Sequence, residues 1–301
     1  MRWKTEWEEG GKLIRGGESL FQNPDQRREI ILETAQSSGF SPELVEKDWI
    51  LSLILEHLVE RKWPLIFKGG TCLAKCHMDF YRLSEDLDFV HINANRGLSH
   101  GARRSDLKKL ERMSDELVEQ LGFLTPVSSN KFDSHQQMAF QYAYASPLSE
   151  KQGTVKLEIT HRDSLLLKPE SRNVRTLAMH PILRELVMEP FTIACMQIEE
   201  MVAEKIRACV TRKTPAIRDY YDLTVLKKTL PEIFLSSRLH DFVRRKLKFQ
   251  TWQPVPDVWI PTLRKQIAKE LNPTLGQIES FDLNASIELV RKFLPDFDTK
   301  E

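Results

Sequence analysis

Cysteine is scarce in this chain, with four among 301 residues: Cys72, Cys76, Cys195 and Cys209. The pairs Cys72/Cys76 and Cys195/Cys209 do not space as a zinc-finger framework, and each falls within a helical apolar pattern. They read as buried free thiols in a reducing cytoplasm. Long hydrophobic runs are missing too. None approaches the roughly 20 apolar residues of a membrane helix. The opening MRWKTEWEEGGK is polar and acidic, unlike a signal peptide. These absences exclude a helical membrane anchor as a reading and lead to the expectation of a cytoplasmic protein. Net charge is almost absent, with 44 Lys plus Arg against 43 Asp plus Glu. Bulk charge therefore names no partner, and any nucleic-acid surface must be local. There are no internal repeats and no low-complexity tract.

What is present is an ordinary globular composition, 41% hydrophobic and 29% charged, at a length that allows one large domain or two smaller ones. Residues 1–25 carry Gly10-Gly11 and Gly16-Gly17 and read as poorly ordered. A helix follows over 26–38, with Ile30, Ile31 and Ala35 on one side. Ser41 as N-cap and Pro42 at the first helical position open a second helix through Leu44, Val45, Trp49, Leu51, Ile54 and Leu58. Strands are expected at 64–67, 86–92, 136–144 and 154–160, with a helix over 71–80 between the first two. Leu107, Leu110, Met113, Leu117 and Leu121 mark a further helix. From about Phe191 the pattern is helical, punctuated by Pro231, Pro254, Pro256 and Pro261. The expected class is α+β, with a mixed core over 1–190 and a helical C-terminal domain over 191–301.

The most informative stretch is FKGGTCLAKCHMDFYRLSEDLDF. In its last strand Asp86 and Asp88 alternate with Leu87 and Phe89, so both carboxylates share one face. Two like charges so close call for something positive between them. A hard divalent cation such as Mg²⁺ fits, because it prefers oxygen ligands. A solvated edge strand with acidic decoration is the alternative. Just upstream, Gly69-Gly70 lie where a strand ends and a helix starts. Adjacent glycines let backbone N–H groups approach an anion, and the helix dipole favours it. A phosphate cradle beside a metal-binding carboxylate pair is the minimum for phosphoryl or nucleotidyl transfer. Without the Asp pair the glycines would read as a tight turn. A third carboxylate, Glu158, sits in VKLEIT with Lys156 and Thr160, opposite Val155, Leu157 and Ile159. It is a candidate third metal ligand or simply part of a solvated sheet face.

In the last third, Ile198, Met201, Val202, Ile206 and Cys209 form an apolar helical stripe that includes Lys205. An ammonium on an inward face needs an anion, which a nucleotide phosphate or a salt bridge supplies. Arg212 lies close to the same stripe. Next, RDYYDL places Asp219 and Asp222 on one helix side. They are candidates to hold Lys205, to bind metal-coordinated water or to orient an acceptor hydroxyl; acidic residues complementing a helix start are the plainer reading. Their helix also needs an apolar face through Leu223 and Leu226, so both are expected along a cleft rim and not in the core.

Together VEKDW at 45–49, the glycine-to-DLD stretch, AEKIRA around Lys205 and RDYYDL resemble the AbiEii/AbiGii-type toxins, minimal nucleotidyltransferases of bacterial toxin–antitoxin and phage-defence systems. The glycine-to-DLD segment with Arg82 and Ser84 is the most specific of the four. The resemblance implies a polymerase β-like nucleotidyltransferase core and a helical C-terminal domain. It implies a nucleotide site at Lys68, Gly69, Gly70, Thr71, Arg82 and Ser84, with Lys205 on the triphosphate. Asp86 and Asp88 are then Mg²⁺ ligands, with Glu158 a candidate third, and Asp219 and Asp222 complete a site between the two domains. The implied substrate is an NTP, the implied acceptor an RNA such as a tRNA 3′ end, and the implied partner a cognate antitoxin. Transfer to a protein or small-molecule hydroxyl, or a silent binding module, are the alternatives. Arg103-Arg104, Lys108-Lys109-Arg112 and Arg244-Arg245-Lys246-Lys248 are the basic clusters available to RNA.

Overall fold

The computed structural model describes residues 7–9, 12–14, 16–94, 99–132, 136–161 and 165–295. The chain divides into two compact units, Met1–Leu165 with Pro169–Cys195, and Leu166–Lys168 with Met196–Glu301.

The first unit begins with a short antiparallel hairpin, β1 (Trp7–Glu9) and β2 (Lys12–Ile14). Gly10 and Gly11, expected to be loose, lie outside the described residues. The rest of that expectation is corrected from α1 (Gly16–Gln22) onward, because Phe21 is fully buried edge-on to Trp49, with ring centroids 5.2 Å apart. One aromatic anchor of this size outweighs the glycine content around it. Asn23 caps α2 (Pro24–Ser38) by accepting the Asp25 and Gln26 N–H groups. Ser41 caps α3 (Pro42–Glu60) by accepting from Leu44 N–H, with Pro42 in the first turn as expected. Helix α3 is buried nearly all round, with Val45, Trp49, Leu51, Ile54 and Leu58 inside along with the polar Glu46, Asp48, Ser52 and His57.

Next come β3 (Leu65–Lys68) and α4 (Gly69–Cys72), which runs on as one π-helical turn over Leu73–His77. Asp79 and Phe80 then take left-handed backbone angles and end the helix, earlier than residue 80. After them come β4 (Asp86–His91), α5 (His100–Leu121), β5 (Leu124–Phe132), β6 (Gln137–Tyr144), β7 (Gly153–Thr160), β8 (Glu170–Val174) and β9 (Phe191–Cys195). The strands form a seven-stranded mixed sheet in the order β5-β6-β7-β4-β3-β9-β8. The centre of the sheet is β4, antiparallel to β3 and parallel to β7.

Besides the β1–β2 hairpin, three strands of the large sheet were not anticipated. β5 and β8 are the two edges of the sheet and are mostly exposed, so they lack an apolar alternation. Pro126 sits beside a bulge in β5, a position an edge strand tolerates. The residues from Phe191, expected to be helical, begin with β9, which is too short to show a period against the helix that follows.

The second unit is helical: α6 (Ile198–Thr211), α7 (Ile217–Thr229), α8 (Pro231–Leu235), α9 (Ser237–Leu247), α10 (Ile260–Gln266) and α11 (Leu283–Arg291). Helix α6 contacts both α7 and α9. Its fully buried Glu200 accepts the Leu166 and Leu167 N–H groups at 2.8 and 2.9 Å and pairs with Lys246 at 2.7 Å. This ties the Leu166–Lys168 segment to the helical unit. Among the described residues no helix is long and apolar enough to cross a membrane.

Candidate active site

Sheet register assembles the charged residues of the first unit into rows. Lys68 on β3 faces Asp88 on β4, and Asp88 faces Glu158 on β7. One step along, Asp86 faces Lys156. Partners directly across a sheet share a face, and alternate residues of one strand do too. Lys68, Asp86, Asp88, Lys156 and Glu158 therefore lie on one side. Leu87 and Phe89 are buried on the other, with Leu157 and Ile159. Lys156 forms an ion pair with Glu158, and that bond, together with the Asp86 and Asp88 charges, raises the Lys156 pKa. A small pocket is lined by Lys68, Asp88 and Glu158 together with apolar residues that include Phe89, Phe132 and Met138.

The glycine turn is built around Asp88. Gly69 has φ +80°, and a Cβ there would sit 2.2 Å from Asp88 Oδ2 and 2.8 Å from its Cβ. Only glycine satisfies both the left-handed angle and the close approach. At Gly70 a Cβ would meet Arg82 Nη2 at 2.9 Å and Ser84 Oγ at 3.0 Å. Arg82 is itself buried and donates to the Leu83 carbonyl at 3.1 Å. The spacing from GG to YRLS is thus a packing requirement, with both side chains laid against the turn. Thr71 is buried, and its hydroxyl donates to the Asp86 carbonyl, fixing the helix start to β4. Lys68, the N-cap of α4, makes no side-chain cap bond to it.

The VEKDW stretch, whose role the sequence did not disclose, is a clamp on this turn. Lys47 pairs with Glu85, next to Asp86, at 2.6 Å. Asp48 pairs with buried Lys75 on the π turn at 2.6 Å and accepts Leu177 N–H at 2.9 Å. Burial lowers the Lys75 pKa, and Asp48 opposes that shift. Glu46 accepts from Ser146 at 2.6 Å and lies 3.7 Å from Arg27; burial raises its pKa.

In the helical unit, Lys205 Nζ lies 2.8 Å from both Asp219 Oδ1 and Asp222 Oδ2. Arg212 Nε reaches Asp219 Oδ2 at 2.8 Å. The expectation of a cleft rim is corrected: Asp219 and Asp222 are 3% and 0% exposed. Two cations shared by two carboxylates allow that burial. Burial alone would raise the Asp219 pKa, but Lys205 and Arg212 hold the carboxyl below its usual range. One basic cluster is also revised, since Lys246 is 6% exposed at its side chain and pairs with Glu200 and Glu204. On α5, by contrast, Arg104, Lys108 and Arg112 are exposed at intervals of four residues, a single helix stripe.

Two other groups of ligand-type side chains have donor atoms within 4.8 Å of one another: Cys72 with His77 and Cys195, and His91 with Asp106 and His161. The sequence suggested neither, because each draws on strands or helices far apart in the chain. His91 ends β4 and stacks on His161 with ring centroids 4.2 Å apart. Burial, with His161 adding to it, drives the His91 pKa down to about 4.

A glycine turn packed under an acidic pair on a central strand of a mixed sheet is the layout of a nucleotidyltransferase, and solved structures agree on the fold. A candidate nucleotidyltransferase from H. pylori aligns with a TM-score of 0.50 and 19% identity over 84% of this chain and 94% of its own. JHP933 from Helicobacter pylori aligns with a TM-score of 0.51 and 19% identity over 84% and 91%. Residues 53–300 match the family described as the nucleotidyl transferase AbiEii toxin of type IV toxin–antitoxin systems, and the chain belongs to that family. The glycine-to-DLD, AEKIRA and RDYYDL stretches lie inside the matched span, whereas VEKDW precedes it. No curated protein sequence matches the chain.

Proposed function

We propose that this nucleotidyltransferase is the toxin of a toxin–antitoxin pair, with a role in phage defence, and acts in the cytoplasm. It transfers a nucleotide from an NTP to an RNA acceptor, a tRNA 3′ end, in a Mg²⁺-dependent reaction. The observation that carries this reading is the row Lys68–Asp88–Glu158 at a pocket, with Gly69 folded directly under Asp88.

The donor set suits Mg²⁺, being carboxylate oxygens on one sheet face. Asp86 and Asp88 would hold the ion, with Glu158 as a third ligand. When bound, Mg²⁺ neutralises phosphate charge and eases deprotonation of the attacking hydroxyl. The N–H groups of Gly69, Gly70 and Thr71 at the α4 start would receive the phosphates, and Lys68 would add a positive charge. Arg82 and Ser84 would keep Gly70 in place and complete the cradle. The acceptor hydroxyl attacks the α-phosphorus, its proton leaves, and pyrophosphate departs. The Arg104–Lys108–Arg112 stripe suits phosphate contacts with RNA. Lys205, Asp219 and Asp222 enter this site through the resemblance alone. Their mutual salt bridges give their burial a structural cause, and the two roles are separable by experiment.

Incubating the protein with each α-labelled NTP plus total tRNA, or plus total protein, tests the reading. Label in tRNA is the expected result. Label only in protein moves the acceptor class, and no label with any NTP refutes transfer.

A further inference from the structure

Three cysteines and a histidine from opposite ends of the first unit meet at the helix that carries the glycine turn. Cys72, Cys76 and His77 stand on α4 and its π turn, and Cys195 ends β9. In an α-helix the side chains at i, i+4 and i+5 spread over more than a quarter of the circumference. The π turn over Leu73–His77 widens the helix at this place and brings Cys76 and His77 round to the side of Cys72. Such turns recur at functional sites. Opposite them, Cys195 is the register partner of Phe67, since β9 runs beside β3. The donor atoms of Cys72, His77 and Cys195 all lie within 4.8 Å of one another, and Cys195 Sγ is 3.7 Å from His77 Nε2. Cys76, half-buried on the same turn, interacts with Cys72 and Cys195 but stands outside that group of mutually close donor atoms. All the cysteines are free.

We infer that Cys72, Cys76, His77 and Cys195 form a tetrahedral zinc site that pins the start of the catalytic helix to the sheet. Three sulfurs and one imidazole nitrogen are a Cys₃His donor set, which favours Zn²⁺ over oxygen-seeking Mg²⁺. The Cys72, His77 and Cys195 donor atoms, so separated, surround a zinc ion after small adjustments, because Zn–S and Zn–N bonds are about 2.3 and 2.0 Å; a rotation of the Cys76 side chain on the same turn supplies the fourth ligand. The cysteines bind as thiolates and release their protons to solvent. Four protein ligands leave no open position for substrate, so the ion is structural. Its place explains its use: Cys72 is three residues beyond Gly69, and Cys195 lies beside the last residues of β3. Holding those two points together fixes the turn under Asp88. The framework was invisible in the sequence because the distant ligand is 118 residues from His77 and Cys209 looked like its neighbour. Cys209 is instead buried in α6, where burial drives its thiol pKa up.

The test is metal content and cobalt spectroscopy on the full reduced chain. Purified wild type, dialysed against metal-free buffer, should retain about one zinc per chain by elemental mass spectrometry. Exchange with Co²⁺ should give the intense thiolate-to-cobalt absorption and the visible bands of a tetrahedral site. Cys76→Ser and His77→Ala should each weaken retention at least tenfold, the effect expected when one support of a metal site is lost, while Cys209→Ser should keep it. A strong chelator should lower the melting temperature of wild type. A folded wild-type protein that retains no zinc and shows no cobalt–thiolate absorption overturns the site, whatever the variants do. So does a native Cys72–Cys195 disulfide found by peptide mapping. Neither readout depends on nucleotidyl transfer.

Discussion

Gly69 shows what one missing side chain permits: the close approach of the turn to Asp88. Alanine there must adopt a positive φ, at about 1–2 kcal/mol, and also displace the Asp88 carboxylate. Gly69→Ala is therefore expected to lower the melting temperature by only a few degrees yet reduce transfer by about a hundredfold, the loss typical of a displaced electrostatic group. Thermal melting and labelled-NTP transfer on the same preparation check this. Lys205 gives the opposite case. Lys205→Ala removes the ammonium shared by Asp219 and Asp222, and breaking a buried pair costs about 3–5 kcal/mol, so a marked fall in melting temperature is expected. Calorimetry with NTP then decides its second role: unchanged affinity assigns the trio to the fold, and weakened affinity assigns Lys205 to the triphosphate. The Asp86/Asp88 face and the Gly69–Gly70 turn were legible because period two and paired glycines leave marks in the sequence. Asp219 and Asp222 were misplaced because a helical wheel shows which side a residue takes but not which cations meet it there.

At the scale of elements, α3 works as a strut whose polar residues each hold a different neighbour. Asp48 holds the π turn through Lys75, and Lys47 holds the approach to β4 through Glu85. Asp48→Ala is expected to destabilise by about 3–5 kcal/mol by stranding a buried ammonium, with urea midpoints as the readout. The end of β4 carries a pH dependence. His91 titrates near 4 in the fold against 6.5 when unperturbed, and the His161 pKa is lowered as well, chiefly by burial. The unfolded chain therefore binds more protons in that window. Stability should fall as pH drops from about 6.5 towards 4. His91→Phe should flatten this limb of the melting-temperature profile, and an unchanged slope would contradict the assignment. Strands β5 and β8 escaped the sequence reading because mostly exposed edge strands carry no apolar alternation, and β9 because it runs almost directly into the helical pattern of α6.

For the molecule as a whole, family membership rests on residues 53–300, and the first unit carries the face proposed as the active site. A mixed sheet places acids from β4 and β7 in one row, and a helix start lies against that row. The account's central claim is that the Asp86–Asp88 face performs the transfer. The most direct measurement is transfer from an α-labelled NTP to total tRNA with Mg²⁺, comparing wild type with Asp88→Ala, whose folding is verified by circular dichroism. The account predicts labelled tRNA with wild type, loss of label on chelation of Mg²⁺, and a drop on the order of a hundredfold or more with Asp88→Ala. Wild-type-like turnover by a folded Asp88→Ala protein would contradict it.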